Sequence, residues 1–236
     1  MNRALSPTPQ SAATDASRAA SRPLRFVTAA SLFDGHDAAI NVMRRLIQDQ
    51  GAEVIHLGHN RSVEEVVRAA LQEDADAVAL SSYQGGHIEY FKYMVDMLRE
   101  RGAGHVRVFG GGGGTITPEE IAELEAYGIE RIYHPNDGMK VGLVGMIQDV
   151  VTRARAAADA RSVRDPHSAL AEASFDHESA LGQVLSALEL HRFSDAELET
   201  LRDTWRKTGR RAVSVGITGT GGAGKSSVVD ELLLRF

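Results

Sequence analysis

The 236 residues carry a formal charge of −6 and are 43% hydrophobic and 25% charged, the make-up of an ordinary globular chain with room for one domain and part of another. No apolar run approaches the about 18 residues of a bilayer-crossing helix, which excludes a membrane-spanning segment. The lack of cysteine excludes a disulfide framework, a thiolate metal site and a cysteine nucleophile, and the mild acidity gives no support to a nucleic-acid surface.

Residues 1–22 are rich in Ser, Ala, Thr and Pro without apolar periodicity, and the composition predicts a disordered leader. From Leu24 short apolar runs alternate with longer amphipathic ones. Strands are expected at Leu24–Ala29, Glu53–Leu57, Ala77–Ser81, Val106–Phe109 and Arg131–Tyr133, with helices starting near His36, Ser62, Gly86, Thr117 and Gly138. Ser62 with Glu65, and Thr117 with Pro118 and Glu120, spell capping boxes at two helix starts. Five strand–helix units over residues 23–157 predict an α/β fold, a doubly wound parallel five-stranded sheet of Rossmann or flavodoxin-like type. Ligands of such sheets lie at the carboxyl ends of the strands, so the loops after the first, third and fourth strands are the candidate site.

Residues 158–210 read as a linker with helices. One would bury Leu181, Val184, Leu185 and Leu188, and the next, capped by Ser194 with Asp195 and Glu197, carries Leu198, Leu201 and Trp205. Residues 211–236 open with a strand, Ala212–Ile217, that runs into a glycine loop.

After the first strand comes Phe33-Asp34-Gly35-His36-Asp37. A histidine there can ligate a metal through one ring nitrogen while Asp34 fixes the other. The third strand ends in Leu80-Ser81-Ser82-Tyr83, whose hydroxyls can donate into a crevice. The fourth runs into five glycines, Gly110 to Gly114, which permit close backbone approach and suit a large planar or elongated group slotted beside the sheet.

Together these loops resemble the cobalamin-binding module with the pattern Asp-x-His-x-x-Gly, Ser-x-Leu, Gly-Gly. Asp34 and His36 open it, residues 40–80 form a 41-residue gap before Ser81, and residues 84–109 form a 26-residue gap before Gly110-Gly111. Ala39 stands where the family has glycine and Tyr83 where it has leucine. The resemblance implies a corrinoid bound with its nucleotide tail displaced from cobalt. His36 would be the lower axial ligand, Asp34 its support, and Gly35, Asp37, Ser81, Ser82, Tyr83, Gly110 and Gly111 would line the cofactor site.

Gly219-Thr220-Gly221-Gly222-Ala223-Gly224-Lys225-Ser226, followed by Ser227, is a phosphate-binding loop pattern that opens an apolar helix. Its amides would cradle phosphates, Lys225 would reach the β- and γ-phosphates, and Ser226 would ligate Mg²⁺. Only ten residues follow Ser226, so the chain is expected to be the N-terminal part of a longer polypeptide, inactive alone. A cobalamin module followed by a P-loop is similar to the fused isobutyryl-CoA mutases, within the adenosylcobalamin-dependent acyl-CoA mutase family. That resemblance implies an isomerase using adenosylcobalamin, a GTPase chaperone domain with GTP and Mg²⁺, a mutase barrel and an acyl-CoA substrate. It also implies a cytoplasmic homodimer with neither nucleic-acid nor membrane partners. The alternatives are a corrinoid carrier or sensor without mutase activity, a receiver-like signalling domain, which would need an acidic group where Ser81 and Ser82 stand, and a P-loop NTPase with an unrelated first domain.

Overall fold

A computed structural model describes residues 22–161, 165–174, 176–207 and 213–235; the expected leader lies almost wholly outside the described residues. The chain divides into two compact units, Met1–Phe193 and Ser194–Phe236. In the first, five parallel strands stand in the order β2-β1-β3-β4-β5, the flavodoxin-like order, whose direction of winding reverses between β1 and β3. They are β1 Arg25–Ala30, β2 Glu53–His56, β3 Ala77–Ser81, β4 Arg107–Gly111 and β5 Arg131–Tyr133. The intervening helices are α1 Ala38–Asp49, α2 Val63–Gln72, α3 His87–Glu100, α4 Pro118–Tyr127 and α5 Pro135–Ala160.

Side chains alternate across the strands. Val27, Val78, Leu80 and Val108 join Phe91, Met94 and Leu98 of α3 in one core. Phe26, Ala77, Ala79 and Phe109 face α1 and α5, meeting Ile47, Ile147 and Val150 in another. The two capping boxes form as expected: Ser62 Oγ accepts from Glu65 N at 3.2 Å and Thr117 Oγ1 from Glu120 N at 3.3 Å, with both carboxylates accepting from the cap amides in return.

In the first unit three expectations change. The fifth helix starts at Pro135 rather than near Gly138, because His134 caps it, its Nδ1 accepting from Asn136 N at 3.2 Å; its turns are then broken at Gly142, where φ is 72°. The helix α6 Pro166–Glu172 was not expected, and together with α7 Glu178–Glu189, expected in a linker, it belongs to the first unit, where α7 packs on α2. Gly182 permits this: a Cβ there would lie 2.7 Å from the carbonyl oxygens of Leu71 and Gln72. The inward face of α7 is therefore Ala180, Gly182, Val184 and Ala187, and Leu185 is exposed. The large leucine cannot occupy a contact set by backbone distance.

In the second unit α8 Asp195–Lys207 begins at the expected Ser194 cap, which pairs with Glu197, and α9 covers Lys225–Leu233. The expected strand does not form over Val213–Ile217, and Ala212 lies outside the described residues. A strand needs a ladder partner, and among the described residues none pairs with this segment. No described helix is long and apolar enough to cross a membrane.

At the amino end of the sheet His105 is half-buried near Arg161, Asp74, Arg107 and Arg22, and burial with the arginine charges lowers its pKa from the ordinary 6.5 to about 4. The unfolded chain therefore takes up this proton first. The associated stability is complete above pH 6.5 and is lost as the pH falls from there towards 4. His105→Gln is expected to flatten the stability slope across that window, read by denaturant unfolding at stepped pH; a slope identical to the parent's would remove His105 as its source.

Candidate cofactor site

The loop after β1 is built around one carboxylate. Asp34 has a side chain with no solvent exposure, whereas that of His36 is 74% exposed. Asp34 Oδ1 accepts from His36 N at 2.8 Å and lies 2.9 Å from His36 Nδ1, and Oδ2 accepts from Tyr83 N at 2.7 Å. One side chain thus ties the β1 loop to the β3 loop across the point where the sheet's winding reverses. With Nδ1–H donating to the carboxylate, Nε2 carries the ring's lone pair, the tautomer a metal ligand needs. The His36 and Tyr83 rings lie 5.4 Å apart between centroids.

Next to this pair a cavity of about 410 Å³ opens between the sheet and the helices α1 and α5. Its walls are mainly apolar, with Ala39, Ile40 and Met43 of α1, Ala79 and Phe109 of the sheet, and Met146 and Ile147 of α5. Ser81, Tyr83, Gly110 and Gly111 also line it. Ser81 is the telling member: its Oγ is buried and has no hydrogen-bond partner among the described residues. A buried hydroxyl left unpaired costs about 1–3 kcal/mol, a cost that a polar atom of a bound group would remove.

Other candidates take different places. Ser82 Oγ accepts from Ser31 Oγ at 2.9 Å in a buried pair and does not line the cavity. Asp37 stands at the N-cap position of α1, exposed and without a side-chain cap bond, and Gly35 is exposed. The glycine run answers in part to the protein's own packing. A Cβ on Gly110 would collide with Phe91 and lie 2.8 Å from Ile132 Cδ1, and one on Gly112 would overlap the carbonyl oxygen of Ser82. A Cβ on Gly111 would meet only the Tyr133 carbonyl oxygen, at 3.1 Å, on the side that opens to the cavity.

The sequence reading missed the second wall. Tyr133, whose hydroxyl donates to Asp149 Oδ2 at 2.8 Å, and His134 both line the cavity. The signal for the cavity itself lay in β3: the alternation Ala77-Val78-Ala79-Leu80 puts alanines on the face towards α1 and α5, and small residues there leave room.

In the second unit the loop Gly219–Gly224 leads directly into α9, with Gly222 and Gly224 at φ of 76° and 75°. Lys225 Nζ folds back on the loop, donating to the carbonyls of Gly219 at 2.9 Å and Thr220 at 2.7 Å. Ser226 and Ser227 follow in the first turn of the helix, both exposed.

The B12 binding domain family matches residues 24–134. A fused isobutyryl-CoA mutase of Cupriavidus metallidurans is 56% identical over 219 residues, 93% of this chain and 20% of that protein. Another, of Geobacillus kaustophilus, is 50% identical over 218 residues, 90% of this chain and 20% of that protein. The 2-hydroxyisobutanoyl-CoA mutase small subunit of Aquincola tertiaricarbonis is 36% identical over 110 residues, 47% of this chain and 79% of that one. The chain thus spans about one fifth of the length of the fused relatives and matches most of the small subunit.

Proposed function

We infer function from the premise that this chain belongs to the family of the fused isobutyryl-CoA mutases, through their B12-binding domain. It is a cobalamin-binding part of such a mutase, and the form we propose for it is adenosylcobalamin. When bound, that cofactor supplies a cobalt–carbon bond whose homolysis starts radical carbon-skeleton rearrangement. The observation that carries the site assignment is the Asp34 carboxylate, held between His36 Nδ1 and Tyr83 N beside an apolar cavity with one unpaired hydroxyl.

The residues fit the group. His36 offers one exposed nitrogen, as a metal that brings its equatorial ligands with it requires. Asp34 orients that ring. The cavity would take the displaced nucleotide tail, whose aromatic base suits apolar walls, and Ser81 Oγ would be free to donate to it. Gly111 leaves space at the cavity's edge, and Tyr83 closes the approach between His36 and the tail. Gly35 and Asp37 shape the β1 loop and Ser82 the β3 loop rather than touching the tail, and Gly110, near the end of β4, lies on the cavity wall where Phe91 leaves no room for a Cβ.

For the complete polypeptide we propose an isomerase acting on an acyl-CoA of the isobutyryl and n-butyryl type, homodimeric and cytoplasmic, with a GTPase domain. Gly219, Gly221, Gly222, Ala223 and Gly224 belong to the loop that would cradle GTP, with Ser227 in the helical turn that follows, Lys225 on the phosphates and Ser226 on Mg²⁺. Lys225 must first leave the carbonyls of Gly219 and Thr220, to which it now donates.

Spectroscopic titration with hydroxocobalamin and with cobinamide, the corrin lacking its nucleotide tail, tests the slot. Cobalamin is expected to bind at least tenfold more tightly, since only it fills the cavity. Equal affinities would mean that the tail stays outside.

A further inference from the structure

Phe33, on the loop after β1, stands in the left-handed backbone region at φ 65°, which a bulky aromatic disfavours. The residue is 83% exposed, so core packing does not compensate the strain. The conformation is held from a second loop: Phe33 N donates to Asn60 Oδ1 at 2.9 Å, and Asn60 is itself left-handed at φ 56°. That second loop is tied to the end of β1, with Ala30 N donating to Gly58 O at 2.9 Å and Arg61 N to Ala30 O at 3.1 Å. A strained, exposed aromatic clamped by two loops gains the unliganded fold nothing, and glycine would suit the backbone better.

Its position supplies a reason. Phe33 is one residue before Asp34 and three before His36, so its Cα lies at most about 11 Å from that of the exposed histidine. A macrocycle held at His36 Nε2 presents a broad apolar underside to the ground around that ring. We propose that Phe33 is a contact residue for the corrin macrocycle, its ring turned outward by the left-handed backbone, and that Asn60 is the positioning residue that holds it there. The inference rests on the reading of His36 as the axial ligand and adds two residues outside the motif.

The test combines hydroxocobalamin titration with thermal unfolding of the ligand-free chain, for the parent and for F33G, N60A and N60D. F33G is expected to unfold at the same or a higher temperature, because glycine relieves the φ, and to bind about tenfold more weakly, because the buried ring face is lost. A purely structural role would move the two readouts together. N60A is expected to weaken binding by a similar factor, and N60D, which keeps the acceptor, to restore it. If the parent binds and F33G binds equally well, the contact is overturned. If N60D fails to recover what N60A loses, the positioning role is overturned. If the parent itself does not bind, the reading of His36 falls and this inference falls with it.

Discussion

Asp34→Ala is expected to lower cobalamin affinity about 10–100-fold, the usual consequence of removing the group that orients a metal-bound histidine. The carboxylate has two separate duties here. Oδ1 fixes His36, through its backbone N at 2.8 Å and its Nδ1 at 2.9 Å, and Oδ2 holds Tyr83 N at 2.7 Å. Alanine frees the imidazole to change rotamer and tautomer, and also leaves the Tyr83 N–H without its acceptor, which costs about 1–3 kcal/mol of stability. Asp34→Asn retains one acceptor oxygen but turns an N–H₂ towards the other donor, so it is expected to lie between parent and alanine variant in both readouts. Titration with hydroxocobalamin beside thermal unfolding measures both. An alanine variant with the parent's affinity would separate Asp34 from cofactor binding.

Ala39→Phe carries the second large effect. Ala39 sits in the first turn of α1, half-buried, with its methyl on the cavity wall. A phenyl ring there would fill part of the cavity proposed for the nucleotide tail, while the helix itself tolerates the change. Cobalamin affinity is expected to fall by about a hundredfold, equivalent to ~3 kcal/mol of lost apolar burial, and cobinamide affinity to stay unchanged. Loss of both affinities together would mean that the substitution had damaged the His36 loop rather than the slot.

Much of the sheet domain was legible because its sequence is locally consistent. Period-two apolar runs bounded by Ser62 and Thr117 caps leave few other assignments, and the expected strands agree with the observed ones to within two residues. The histidine–aspartate pair was legible too, because the loop after a first parallel strand has a known place at the sheet's carboxyl edge. What escaped was decided by tertiary distance. Leucines at 181, 185 and 188 look like a helix face, yet the close approach of α7 to the Leu71 and Gln72 carbonyls selects the face with Gly182. The glycine run looks like a ligand cradle throughout, but Gly110 and Gly112, although on the cavity wall, are also required by the protein's own packing against Phe91 and the Ser82 carbonyl. The strand expected over 212–217 has a strand's composition and no ladder partner among the described residues. His134 gave no motif, since its cap to Asn136 and its place on the cavity wall exist only once β5 and α5 are packed.

The central claim is that His36 is the axial ligand of a corrinoid whose tail has left the metal. Electron paramagnetic resonance of the bound cobalt(II) form, with natural-abundance protein and with protein labelled with ¹⁵N at histidine, tests it most directly. Coordination by His36 predicts that labelling converts the nitrogen splitting from a triplet to a doublet, and that the change disappears together with the splitting in His36→Ala. A triplet that persists in the labelled protein would leave the nucleotide base on cobalt and contradict the assignment.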